Sequence, residues 1–287
     1  MIDKLRKDVP LIKRVLGSSL KTVGRLAWYD GYEFYRRAAH NRLPFARALL
    51  DLAQGRDYHL PGGDVVFLRP GYLTGASCLV ELGDLLNANG HGIDNHQYDF
   101  TASLESLIER FLVKVNDIAE DNGGTVKAAG HSKGGLEILG AYRQRPELFD
   151  RIVTWAVPYL GSERAIDFPF CKFDSLAEMA PGSEFISWLS DGPLPVNAQI
   201  LNFYSDEDMI VVPAENSRLP VQDNVTNILL PGLFHNDFLY DPIAHHMTRL
   251  FLAGSSFGNG YVEELKSCLG REYHPRVDVL FDVNGLT

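Results

Sequence analysis

Ser132 lies in "GHSKGG" (130–135), which follows the apolar run "TVKAAG" and precedes "LEILGAYRQ". A serine hydroxyl is a weak nucleophile until a base takes its proton, and the base must be held in one tautomer by an acid. The pentapeptide alone decides little. A G-x-S-x-G turn acquires a mechanism when a strand leads into it and a helix leads out of it. Thr125 to Ala129 has the β-branched and small apolar character of a short buried strand, and Leu136, Leu139 and Tyr142 recur at helical spacing. Glycines at 130 and 134 let the two backbones pass closely, so the serine is held out at the apex. Lys133 then opens the helix, with its backbone N–H directed where the helix dipole favours negative charge.

The elements that must carry such a turn are legible along most of the chain. "DVVFL" (64–68) reads as a strand, "CLVELGDLLNANG" (78–90) as a helix with a glycine stop, and "LESLIERFLVKVNDIAEDNGG" (104–124) as a long helix. "RIVTWAV" (151–157), "QILNFY" (199–204) and "NVTNILL" (224–230) read as further strands, with a last helix near 242–253. Alternating helices and continuous apolar strands predict an α/β fold, a mainly parallel sheet flanked by helices. Residues 1–60 are expected to form an N-terminal helical extension and 61–287 the main domain. Within that domain, 162–198 interrupts the alternation with Phe168, Phe170, Phe173, Met179, Phe185 and Trp188 and with Pro169, Pro181 and Pro193, and reads as a small cap insertion.

Two later loops hold the remaining groups that such chemistry needs. "YSDEDMIVVP" (204–213) follows one predicted strand and "LPGLFHNDFLYDP" (230–242) follows the next. Both loops leave the carboxyl ends of strands, the edge where sheets of this kind place their sites. The first offers Asp206, Glu207 and Asp208 as acids, with Glu215 just beyond, and the second offers His235 as a base. His131 reads as structural, and His245 and His246 as surface residues of the last helix.

With these motifs the sequence resembles the bacterial lipase and esterase branch of the α/β-hydrolase superfamily, from about residue 63 to 253. The resemblance rests on "GHSKGG", on "AVPYLGS" (156–162) and on "MAPGSEFISWL" (179–189), which is similar to that branch's cap segment. It implies Ser132 as nucleophile, Asp208 as acid and His235 as base, with the backbone N–H groups of Tyr72 and Lys133 as oxyanion donors. The implied activity is hydrolysis of small-molecule or lipid carboxylic esters with an apolar acyl chain, without metal or organic cofactor. A thioesterase or acyltransferase would use the same three residues, and a binding protein could keep the fold without turnover. The family's usual His-Gly is replaced here by Pro70-Gly71, and Lys133 stands where an apolar or polar residue is more usual.

Charge and cysteine usage narrow the setting. The 287 residues include 27 Lys+Arg and 37 Asp+Glu; residues 1–50 hold 11 basic against 4 acidic groups, which leaves 16 against 33 for the rest. So acidic a body argues against nucleic acid as a partner. Cys78, Cys171 and Cys268 are widely separated and supply no C-x-x-C metal pair. With no apolar run long enough to span a membrane and no signal-peptide core, the expected location is cytoplasmic. Residues 1–27 carry an apolar stripe (Ile2, Leu5, Val9, Ile12, Leu16, Leu20, Val23, Ala27) with Lys4, Arg6, Lys7, Lys13, Arg14, Lys21 and Arg25 on the other faces. Such a helix either packs on the acidic body or lies peripherally on an anionic membrane.

Overall fold

A computed structural model describes residues 57–72, 74–96, 102–121, 123–166, 174–255 and 257, which build one seven-stranded sheet. The strands are β1 (Tyr58–Leu60), β2 (Val65–Arg69), β3 (Gly92–Asn95), β4 (Val126–His131), β5 (Phe149–Trp155), β6 (Gln199–Tyr204) and β7 (Val225–Leu229). Their spatial order is β1-β3-β2-β4-β5-β6-β7. Every neighbouring pair is parallel except β1 on β3. The helices are α1 (Val80–Asn87), α2 (Leu104–Asp121), α3 (Lys133–Gln144), the short α4 (Asp174–Ala177) and α5 (Glu184–Leu189), and α6 (Pro242–Leu252).

Strand residues alternate between the two faces, so each strand feeds two cores. Phe67, Ala128, Ile152 and Ile200 join α2 and α3 through Ile108, Phe111, Leu136, Leu139 and Tyr142. Their sequence neighbours Val66, Leu68, Ala129, Val153 and Leu201 join α1 and α6 through Leu82, Leu86, Met247 and Phe251. With both faces covered, the strands have to be apolar throughout, which is why they read as runs and not as alternations. Helix α2 buries Leu104, Leu107, Ile108, Phe111, Val115 and Ala119, a stripe at spacings of three and four along one side.

β1 and β3 are absent from the sequence reading, because "YHL" is three residues long and "GIDN" carries no apolar run. Within 162–198, Leu176, Met179, Ile186, Leu189 and Leu194 join the α2/α3 core. The Tyr142 hydroxyl donates to the Pro195 carbonyl at 2.6 Å and accepts from the Ala198 N–H at 2.9 Å, fixing the end of this segment to α3. His245 is buried, contrary to its expected surface position, since it packs beside the preceding turn and hydrogen-bonds to the backbone of Leu239. Cys78 is buried, as a small apolar residue would be. Residues 1–56 of the expected helical extension, with the stripe in 1–27, lie outside the described residues, as do Phe168, Phe170, Cys171, Phe173 and Cys268. Among the described residues, no helix is long and apolar enough to cross a membrane.

Candidate active site

β4 ends at His131 and α3 begins at Lys133, so the whole reversal falls on Ser132. Its backbone takes φ 53° and ψ −121°, a left-handed conformation that costs a non-glycine residue on the order of 1–3 kcal/mol. The surroundings hold it there. The Ser132 N–H donates to the Trp155 carbonyl of β5 at 2.9 Å, and the Ser132 carbonyl accepts from Gly135 and Leu136 at 3.0 and 3.2 Å. Gly134 has no room for a side chain, because a Cβ there would lie 2.4 Å from the Pro70 oxygen and 2.5 Å from that of Arg69. That close approach brings the loop after β2 against the start of α3.

Three sequence-predicted residues meet at this turn. Ser132 Oγ lies 2.8 Å from His235 Nε2, and His235 Nδ1 lies 2.8 Å from Asp208 Oδ2. All three are nearly buried. Asp208 follows β6 and His235 follows β7, so adjacent parallel strands deliver both loops to the same edge as Ser132. The other Asp208 oxygen accepts from the Ile210 and Val211 N–H groups at 2.8 and 2.9 Å, which sets the plane of the carboxylate. Among the competing acids, Asp206 is exposed and accepts from the Gly232 N–H at 3.2 Å, while Glu207 is exposed and Glu215 is exposed in the first turn of a short 3₁₀ helix. Such a chain of contacts can move a proton from the hydroxyl to the imidazole and hold the resulting cation.

The two expected backbone donors flank the turn. Lys133 is the first residue of α3, where peptide N–H groups point out of the helix and carry its partial positive charge. Tyr72 follows Gly71, whose Cβ position would be 3.0 Å from Ser132 Cβ, so the loop carrying Tyr72 runs beside the serine. The Lys133 side chain points inward. It is fully buried, its ammonium donates to the Ala102 carbonyl at 2.8 Å, and it stands 5.8 Å from the centre of the Tyr72 ring.

Beneath the turn lies a buried charge cluster that the sequence reading missed. Arg69 at the end of β2 pairs with Glu137 of α3 at 3.2 Å and stacks over Phe111 at 4.4 Å. Burial raises the Glu137 carboxyl to about 7, against the opposing pull of Arg69 and Lys133. Arg69 and Glu137 are 68 positions apart, so only the fold brings them together.

His131 packs behind His235. Its Nε2 lies 2.8 Å from the His235 carbonyl oxygen, which makes Nε2–H the donor, and the two rings are 4.7 Å apart. Burial, and secondarily the neighbouring His235, lowers its pKa to about 3. An unfolded His131 takes a proton near pH 6.5, so below that pH the unfolded chain binds more protons than the fold. Its contribution to stability is therefore whole above pH 6.5 and declines as the pH falls toward 3. His245, lowered to about 4 by burial, acts with the same sign, and Glu137 with the opposite sign between 4.5 and about 7. His131→Gln keeps a donor near the Nε2 position and removes the titration. Its urea midpoint should fall less steeply than that of the wild type between pH 6.5 and 4; parallel declines would contradict a buried neutral His131.

No protein-family model and no curated protein matches the chain. Solved structures do. Lipase B of Aspergillus fumigatus is 20% identical, with a TM-score of 0.64 over 75% of this chain and 58% of its own. The chain therefore spans less than two thirds of that enzyme's length. A monoacylglycerol lipase of Paleococcus ferrophilus is 18% identical, with a TM-score of 0.55 over 70% and 99%. The α/β hydrolase domain-containing protein 10 of mouse is 17% identical, with a TM-score of 0.50 over 74% and 94%. At these identities the likeness is one of fold, and the chain has the α/β-hydrolase fold.

Proposed function

We propose that the protein is a serine carboxylic-ester hydrolase. The observation that carries this reading is the pair of 2.8 Å contacts linking Ser132 Oγ, His235 and Asp208 at a strained strand-to-helix turn. Ser132 Oγ attacks the ester carbonyl carbon while its proton passes to His235 Nε2. The Lys133 and Tyr72 N–H groups hold the oxyanion that forms, and Asp208 stabilises the imidazolium. His235 then gives the proton to the departing alkoxide, leaving an acyl-enzyme. Water repeats the sequence on that acyl group, releasing the acid and restoring Ser132.

The acyl side is read as apolar. Phe185 and Trp188, with ring centres 5.7 Å apart, belong to the segment proposed as a cap, and Trp188 stays 38% exposed. A buried methylene contributes up to ~0.8 kcal/mol, about fourfold in binding, so nitrophenyl esters should show kcat/KM rising from acetyl to octanoyl. Matched acyl thioesters provide the comparison. Faster turnover of the thioesters would favour a thioesterase, and no turnover of either series would return the fold to a binding role.

A further inference from the structure

At the sheet edge away from Asp208 and His235, β1 and β3 place four chemistry-bearing side chains on one face. His59 stands directly opposite Asp94 in the antiparallel register, and two residues along, beyond the Tyr58–Asn95 pair, Asp57 meets His96. Residues two apart on a strand share a face, so the four form a square of alternating imidazole and carboxylate. His96 Nδ1 is 2.7 Å from Asp57 Oδ1, and His59 Nδ1 is 3.4 Å from Asp94 Oδ2. The two imidazoles meet edge to face at 5.1 Å. A ligand atom from each of Asp57, His59 and His96 lies within 4.8 Å of the other two.

We propose that Asp57, His59 and His96 bind a zinc ion that clips the edge strand β1 to β3. Donors bound tetrahedrally at zinc's usual bond lengths are about 3.4 Å apart, so side-chain shifts of about 1 Å bring the three atoms to one ion, and a water molecule completes its fourfold shell. Two imidazoles and one carboxylate suit zinc; magnesium and calcium require oxygen donors throughout. His59 and Asp57 are about half exposed, which gives an ion a path in. The Nε2 of His96 is buried without a hydrogen-bond partner, so no second contact fixes the tautomer of that ring. Asp94 stands behind His59 and also faces Arg69 at 3.7 Å, the arrangement by which a carboxylate orients a metal-bound imidazole. A strand of three residues with a single neighbour has little pairing of its own, and an ion shared across the pair would hold its register.

Calorimetric titration of ZnCl₂ into the tag-free, EDTA-stripped full chain tests this. One ion should bind per chain, with no saturable heat from MgCl₂. Loss of an outer partner of a metal ligand weakens binding ~10- to 100-fold, so His59→Ala and His96→Ala, which remove ligands, should weaken it at least about 100-fold. Asp57→Asn, nearly isosteric, should weaken it at least about tenfold, and decides the matter if circular dichroism shows that the alanine variants misfold. His235→Gln should bind as tightly as the wild type. The absence of saturable binding, or binding kept by Asp57→Asn and His96→Ala but lost in His235→Gln, would overturn the site and leave two cross-strand His–Asp contacts.

Discussion

Replacing Ser132 with alanine should lower nitrophenyl-ester turnover by about 10⁵- to 10⁶-fold, the loss expected when the nucleophile of a cooperating triad is removed. The substitution takes away one oxygen, the atom 2.8 Å from His235 Nε2, and leaves Cβ in place. Alanine tolerates the φ 53° turn no better and no worse than serine, and the Trp155 and Gly135 hydrogen bonds that hold it are to backbone. The fold should therefore survive, with the urea midpoint near that of the wild type. Retention of more than about 1% of the rate by a folded variant would remove Ser132 from the proposed chemistry.

Asp208→Asn should cost about 10⁴-fold in kcat, while Asp206→Asn should change it by no more than about threefold. The difference follows from where each carboxylate points. Asp208 Oδ1 accepts from two N–H groups and Oδ2 faces His235 Nδ1. An asparagine that keeps its carbonyl on those two amides must turn its NH₂ toward His235. That NH₂ donates to Nδ1, forces the proton onto Nε2 and leaves no lone pair there for the Ser132 proton. Asp206 is exposed and accepts from the Gly232 N–H, away from His235. Comparable losses in the two variants would mean that the acid is supplied differently.

Much of this arrangement can be read from sequence, for a physical reason. Strands buried on both faces must be apolar end to end, so β2, β4, β5, β6 and β7 appear as runs, and glycines at 130 and 134 announce a close crossing. The choice between Asp206 and Asp208 was open because both lie in one loop after β6, and only the direction of each carboxylate separates them. Sequence does not tell where the Lys133 charge goes, because its long stem carries the ammonium under the turn to the Ala102 carbonyl. β1 and β3 were missed because an edge pair with a polar face has no hydrophobic period. Their His and Asp residues were hidden with them, since Asp57 and His96 become neighbours only through antiparallel register.

The most direct test of the central claim is covalent labelling of the folded protein with a fluorophosphonate, followed by mass spectrometry of its peptides. A hydroxyl activated by His235 should take one adduct per chain, on Ser132 within "GHSKGG", and Asp208→Asn should slow the reaction in step with its loss of turnover. An adduct on another serine, or no adduct on a correctly folded chain, would contradict a nucleophilic Ser132.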